Sequence, residues 1–432
     1  MGHLKFLLEK QKRLDIIVCV FLAVWIGFIP LSFGVFNEIA EDILTNAGAD
    51  SVSVGRVSAA LFRGVKIEDV FVYKQINARE NYTVEISRVN IKCNPLRLLF
   101  SRKYFESDRD IFMEFNDKPL ELAGEAANFV NTLKFIKGAE LENANIRFQN
   151  RNTAGIRIEN VSAKINRRHR ALRGGVRVGE VIVPSLAKIE NFEIKLHLNA
   201  AGASSNGNRL HLFDGNGEIF DGKINMELFV NLDENLIIGG TLSVRELDMR
   251  KACTKINLLQ GSIDGRVNID ANFEQSAFSI DLIRLRGSFS ATQVLARDLA
   301  LQRISLLRRI PQIRTLEFDE VSGNFSFSGG LNNGRINFQE MAGRGEAMIF
   351  NSHGWFRLDG RMNKNLNGEM SRKFIDELPR IMRNSFEITE NGKGHFSCTV
   401  SGTFDNPQVR VERTMVRNAV RNTFGGNRRR QR

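Results

Sequence analysis

A chain of 432 residues is long enough for two or three ordinary domains or for one elongated one. Its net charge of +12 sits mostly at the ends: Lys5, Lys10, Lys12 and Arg13 against Glu9 at one, and eight Arg against Glu412 within residues 410–432 at the other. The body between is near neutral, which argues against a nucleic-acid surface and makes membrane surfaces the better match for the ends.

Residues 1–15 form a basic leader that reads as cytoplasmic. Ile16 to Phe36, IIVCVFLAVWIGFIPLSFGVF, is 21 residues without a charge. At about 1.5 Å per residue such a helix spans ~30 Å, a bilayer core. Lys and Arg precede it, while Glu38, Glu41 and Asp42 follow, so the positive-inside rule places the N-terminus in the cytoplasm and the body outside. Ala47-Gly48-Ala49 resembles a cleavage site, but the apolar run exceeds a signal-peptide core. An uncleaved transmembrane anchor over 16–36 is the expectation.

Beyond Asn46 the hydrophobic pattern has period two. Val84–Ile86, Val89–Ile91, Ile156–Ile158, Ile224–Val230, Ile263–Phe273, Phe325–Phe327, Ile336–Phe338 and Phe396–Phe404 alternate apolar with polar residues. That pattern predicts strands with one buried and one solvated face, hence antiparallel pairing. The 7 Pro in the chain suit long strands. Asp214-Gly215-Asn216-Gly217, Asp221-Gly222, Gly329-Gly330 and Asn333-Gly334 read as turns. A loose unit, apolar–Glu/Asp–Asn–apolar, recurs at 65–70, 156–161 and 316–321, suggesting a repetitive meander. Short helices are expected over 122–136, 298–309 and 371–382, too few to cover such a sheet. The sheet can then pack on another sheet, close on itself, or stay open to an apolar ligand.

Phe dominates the aromatics, with 32 against 3 Tyr and 2 Trp. That favours purely apolar lining over the amphipathic girdles of an outer-membrane barrel. No HExxH, GxSxG, Walker loop or GxGxxG occurs, and Cys19, Cys93, Cys253 and Cys398 are isolated. His169, His353 and His395 lack partners at ligand spacing. No catalytic residue, cofactor or metal is expected, and the chain does not read as an enzyme.

The layout resembles the AsmA-like family, the AsmA/TamB/YhdP type of envelope protein. The resemblance rests on the anchor followed by Leu61 to Val70, on Ile86 to Leu99 (ISRVNIKCNPLRLL), and on Phe220-Asp221-Gly222-Lys223. It continues through Leu247 to Leu259, Gly261 to Gly265, Leu316 to Phe325, Gly354 to Gly360 and Val400 to Val409, in family order. Residues 106–213 depart from any pattern of the family. The resemblance implies a mainly β fold: an elongated, twisted antiparallel sheet curved into an open apolar groove, with one N-terminal transmembrane helix and a few short helices. It implies β regions over 45–213 and 214–410 and a body in the periplasm of a bacterium, anchored in the inner membrane. It also implies phospholipid acyl chains as partners, in support of lipid transport to the outer membrane and of its integrity. The expected groove residues are Ile224, Met226, Leu228, Ile263, Val267, Ile269, Phe325, Phe327, Ile336, Phe338, Phe396 and Val400. A scaffold for outer-membrane proteins and a purely structural envelope linker remain as rival readings.

Residues 411–432 form a basic amphipathic tail. Val416, Val420 and Phe424 share one helical stripe, Arg413, Arg417 and Arg421 the next, and Arg428, Arg429 and Arg430 follow. Such a segment fits an anionic membrane surface, the outer membrane or a partner protein at that end, and equally a solvated cap on the sheet.

Overall fold

The computed structural model describes residues 49–60, 64–77, 80–92, 137–150, 155–168, 171–184, 187–199, 209–231, 237–256, 262–275, 283–297, 315–330 and 334–411, apart from 379, 385 and 405. It also describes Asn37, Glu38, Glu41 and Thr45. The expected anchor over 16–36, the basic tail, and the helices over 122–136 and 298–309 lie outside the described residues. Among the described residues, no helix is long and apolar enough to cross a membrane.

The described chain is mainly β, with 19 strands in one sheet. It divides into two compact units: Met1–Val181, Glu193–Leu210 and Leu232–Glu234 in the first, Ile182–Phe192, His211–Asn231 and Asn235–Arg432 in the second. Unit one contains β1 (Ser51–Ala60), β2 (Gly64–Asn77), β3 (Glu80–Lys92), β4 (Gly138–Asn150) and β5 (Arg157–Arg168), paired consecutively and antiparallel. β6 (Ala171–Val183), β7 (Ala187–Asn199) and β8 (Arg209–Ile219) contribute to both units.

Unit two holds β9 (Gly222–Asn231), β10 (Ile237–Asp248), β11 (Ser262–Gln275), β12 (Ile283–Arg297), β13 (Thr315–Gly329), β14 (Arg335–Arg344), β15 (Met348–Arg357) and β16 (Arg361–Met370). β17 (Glu387–Ile388), β18 (Gly394–Thr403) and β19 (Pro407–Val411) follow. From β9 to β16 each strand pairs antiparallel with the next; β16 then pairs with β18, and β18 with β19. The helices are α1 (Met249–Ile256), α2 (Arg372–Asp376) and α3 (Arg380–Arg383). The helix expected over 371–382 is thus two pieces. The sequence puts Pro379 between them, where a ring without an N–H opposes continuation.

In two of its three copies, at 65–70 and 156–161, the recurrent apolar–Glu/Asp–Asn–apolar unit has a backbone cause. Asp69, Asn143, Asn160, Asn191, Asp214, Glu246 and Gln293 all have φ between 50° and 57°. At Asn143, Asn160, Glu246 and Gln293 the register shifts, one strand carrying an extra residue as in a β-bulge; at Asp69 the pairing stays one to one while the apolar positions pass to the other parity. In β2, Val65 and Ile67 precede Asp69 while Val70 and Val72 follow, yet all four pack in one cluster with Val54 and Val57 of β1. At Asp69 the parity change is shared with the neighbouring strands. Asp69 lies in unbroken register opposite Gly55 of β1 and Ser87 of β3, and Ser87 lies opposite Asn143 of β4. Val84–Ile86 and Val89–Ile91 are therefore halves of one strand. Asp214-Gly215-Asn216-Gly217 is no turn, but a bulge inside β8, with Asn216 Nδ2 donating to the Asp214 carbonyl at 2.7 Å. The expected turn at Asp221-Gly222 is present: Phe220 and Asp221, at φ 47° and 61°, join β8 to β9. Two consecutive left-handed residues match the sheet's twist there.

Asn and Asp tolerate this conformation because their short polar side chains bond locally; a β-branched residue does not. Asn160→Val is expected to lower stability by about 1–2 kcal/mol and Asn160→Gly to be nearly neutral, both read from urea unfolding midpoints. A Val variant as stable as the parent would show that the bulge carries no conformational demand.

β1 would otherwise present a bare edge, a template for unwanted pairing. Two helical side chains from the preceding segment occupy it. Asn37 Oδ1 accepts from Val57 N–H at 2.8 Å, Asn37 Nδ2 donates to the Gly55 carbonyl at 3.2 Å, and Glu41 Oε1 accepts from Val54 N–H at 2.9 Å.

Candidate functional site

The pairing registers of unit two place side chains in rows that run across the strands on one face. One row is Leu247, Val267, Ala291, Val321, Gly343, Phe350, Gly368 and Phe396. The next is Ile224, Val244, Ile269, Phe289, Gly323, Met341, Ser352, Leu366, Cys398 and Val411. A third is Met226, Leu242, Ala271, Gly287, Phe325, Phe338, Gly354, Lys364, Val400 and Val409. A fourth is Leu228, Gly240, Phe273, Leu285, Phe327, Ile336, Phe356, Met362, Gly402 and Pro407. All the expected groove residues lie in these rows except Ile263, which shares the face two pairs beyond Val267.

The rows differ in cover. The first is roofed by the chain between β16 and β18. Phe374, Ile375 and Leu378 from α2 and its end, with Phe386, pack onto Val267, Ala291, Phe350 and Phe396 to form the core of unit two. Ile375 is fully buried. Val267 and Phe396 are thus core residues under a helical cover, not lining of a bare face. The expectation that the helices leave the sheet uncovered fails at this end: 5-residue α2 is short, but the loops flanking it supply two further apolar anchors. Ile224, Phe327 and Val400 are buried too. Met226, Leu228, Ile269, Phe325, Ile336 and Phe338 are half-buried.

From the second row across the third and fourth the aromatic rings form a ladder. Phe289 meets Phe338 edge-on at 5.7 Å, Phe338 stacks on Phe356 at 5.6 Å, and Phe356 meets Phe404 at 5.8 Å. Such contacts orient the rings beyond simple burial. The one charged side chain of these rows is Lys364, which the sequence reading missed. Period two puts Lys364 on the face of Met362 and Leu366, but the run Asn363-Lys364-Asn365 between them interrupts the apolar alternation that would have drawn notice to it.

Lys364 Nζ lies 3.7 Å above the Phe338 ring and 3.7 Å from Met341 Sδ. Phe338 and Met341 belong to β14, two strands away. The side chain crosses β15 where Gly354, at φ +136°, offers no side chain to obstruct it. Among the described residues no carboxylate pairs with Lys364, and burial lowers its ammonium to about 8. Beside it in the second row, the buried Ser352 hydroxyl, 2% exposed, has no hydrogen-bond partner. Burial pushes the Cys398 thiol up.

The opposite face is polar and internally bonded. His353 Nε2 lies 3.0 Å from Asn365 Nδ2, Thr399 donates to Asn365 Oδ1 at 2.8 Å, and Ser397 donates to Asn367 Oδ1 at 2.7 Å. Arg245 holds the Asp270 carboxyl below the usual range through a 2.7 Å bond. His353 is part of this polar network.

No known family model, no curated protein and no solved structure matches the chain.

Proposed function

We propose that the chain is an AsmA-like envelope protein, anchored in a bacterial inner membrane by residues 16–36 with its body in the periplasm, and that the aromatic-lined rows of unit two form a groove that shelters or conducts phospholipid acyl chains. The observation that carries this reading is the contrast between rows on one face. The first row is closed by α2 and its flanks, while the third and fourth keep half-buried Phe and Ile side chains in unbroken register across the strands. Each acyl CH₂ moved from water onto such a surface gains about 0.8 kcal/mol, so a continuous row holds a chain strongly without any specific pocket. No cofactor and no catalysis enter this reading.

The body lacking residues 1–36, purified without detergent and extracted with organic solvent, is expected to release bound phospholipid. Recovery of a polypeptide instead would favour a scaffold that pairs an outer-membrane protein strand with a sheet edge. Recovery of neither would leave a structural linker.

A further inference from the structure

We propose that Lys364 seats the phosphate of an anionic phospholipid whose acyl chains lie along the aromatic ladder beside it. This inference rests on the lipid reading above and narrows it to a headgroup class.

Three observations converge. The first is placement: Lys364 is the one charge in a row that is otherwise apolar or glycine from Met226 to Val409. The second is the quality of its contacts. A ring face and a thioether satisfy an ammonium only in part, and the charge lacks the counterion that a desolvated site demands. The neighbouring Ser352 hydroxyl is a donor likewise without an acceptor. The third is direction. On one side of Lys364 the face disappears beneath α2, with Leu366 already packed against that core. On the other side, in the next row, stands the half-buried ring of Phe356, stacked on the Phe338 ring that lies under the ammonium. An amphiphile placed here has one arrangement that matches both, with its anionic end at Lys364 and its chains on the ladder. A headgroup that carries its own cation, as choline does, already neutralises its phosphate, so the site discriminates by net charge.

The charge that does this is itself titratable. Of the groups facing Lys364 from β14, β15 and β18, Cys398 alone also titrates. Burial lowers the ammonium to about 8, so the preference for anionic headgroups is full below that pH. It fades as pH rises above it, with the midpoint moved upward by the bound phosphate itself.

The test uses the full chain reconstituted in vesicles of equal phosphatidylglycerol and phosphatidylcholine, with a photoreactive phenylalanine analogue at Phe325, three strands from Lys364 in the same row. Adducts at that position report lipid on the face and ignore lipid around the anchor. Mass spectrometry of the adducts is expected to show phosphatidylglycerol over phosphatidylcholine by about tenfold. In Lys364→Met, an apolar side chain of similar reach, adducts should persist while the ratio collapses toward that of the vesicle. In Lys364→Arg the preference should survive. A ratio unchanged by Lys364→Met overturns the assignment while leaving the groove in place. Absence of any lipid adduct, or adducts to polypeptide only, overturns the lipid reading together with it.

Discussion

Ile375→Ala is expected to destabilise unit two by about 2–5 kcal/mol, the usual range for removing a fully buried aliphatic side chain without collapse of the cavity. Ile375 has 0% exposure and is packed among Phe374, Leu378, Phe386 and Phe396. The backbone beneath it cannot close the space, because Gly394 already approaches its Cδ1 without a side chain of its own. The neighbouring Lys373→Ala supplies the contrast. Its ion pair with Glu346, 3.8 Å long, joins side chains 84% and 92% exposed, and such pairs contribute little. Trp355 reports unit two selectively, since the other Trp of the chain, Trp25, falls in the apolar N-terminal run. Urea unfolding followed by tryptophan fluorescence should show the large shift for Ile375 and almost none for Lys373. Equal shifts would mean that α2 does not roof the sheet.

Val267→Asp should cost several kcal/mol and Arg266→Glu less than about 1 kcal/mol, although the two positions are adjacent. Val267 is 7% exposed among Leu247, Ala291, Val294 and Phe318, where a carboxylate finds no donor. Arg266 points to the other face, donating to the Glu246 carbonyl at 3.1 Å and standing 4.0 Å from Asp248. A strand slipped by one residue would invert this order, so the pair of variants is a direct measurement of register. Unfolding midpoints suffice to read it.

Much of the sheet was legible because period-two alternation survives wherever a strand is regular. Ile263 to Phe273, and Phe396 to Phe404 up to its last residue, lie in β11 and β18 for that reason. The bulges were visible only as a vague repeat. Alternation analysis treats a parity change as the end of a strand, whereas a left-handed Asp69 or Asn160 lets the strand continue with its apolar side unchanged. The same blindness turned Asp214-Gly215-Asn216-Gly217 into a turn, since Asp, Asn and Gly favour left-handed backbone in both settings. Lys364 was illegible for a different reason. The run Asn363-Lys364-Asn365 interrupts the alternation, and the pairing with Gly354 and Val400 emerges only from the register across β15, β16 and β18. The cover over Val267 and Phe396 depends on residues 374–386 folding back, which no local pattern encodes.

The shared parity change bears on how such a chain lengthens over evolutionary time. A lone deletion at Asp69 would leave β2 one residue short against β1 and β3, which pair with it one to one at this level, so half of its pairs would slip. Neighbouring strands therefore have to gain or lose the feature together. Duplicating a whole hairpin meets that condition at once, because each copied strand arrives with its parity change at the right level. Point-by-point growth of a strand is disfavoured, and growth by whole hairpins is the change that leaves every existing pair intact.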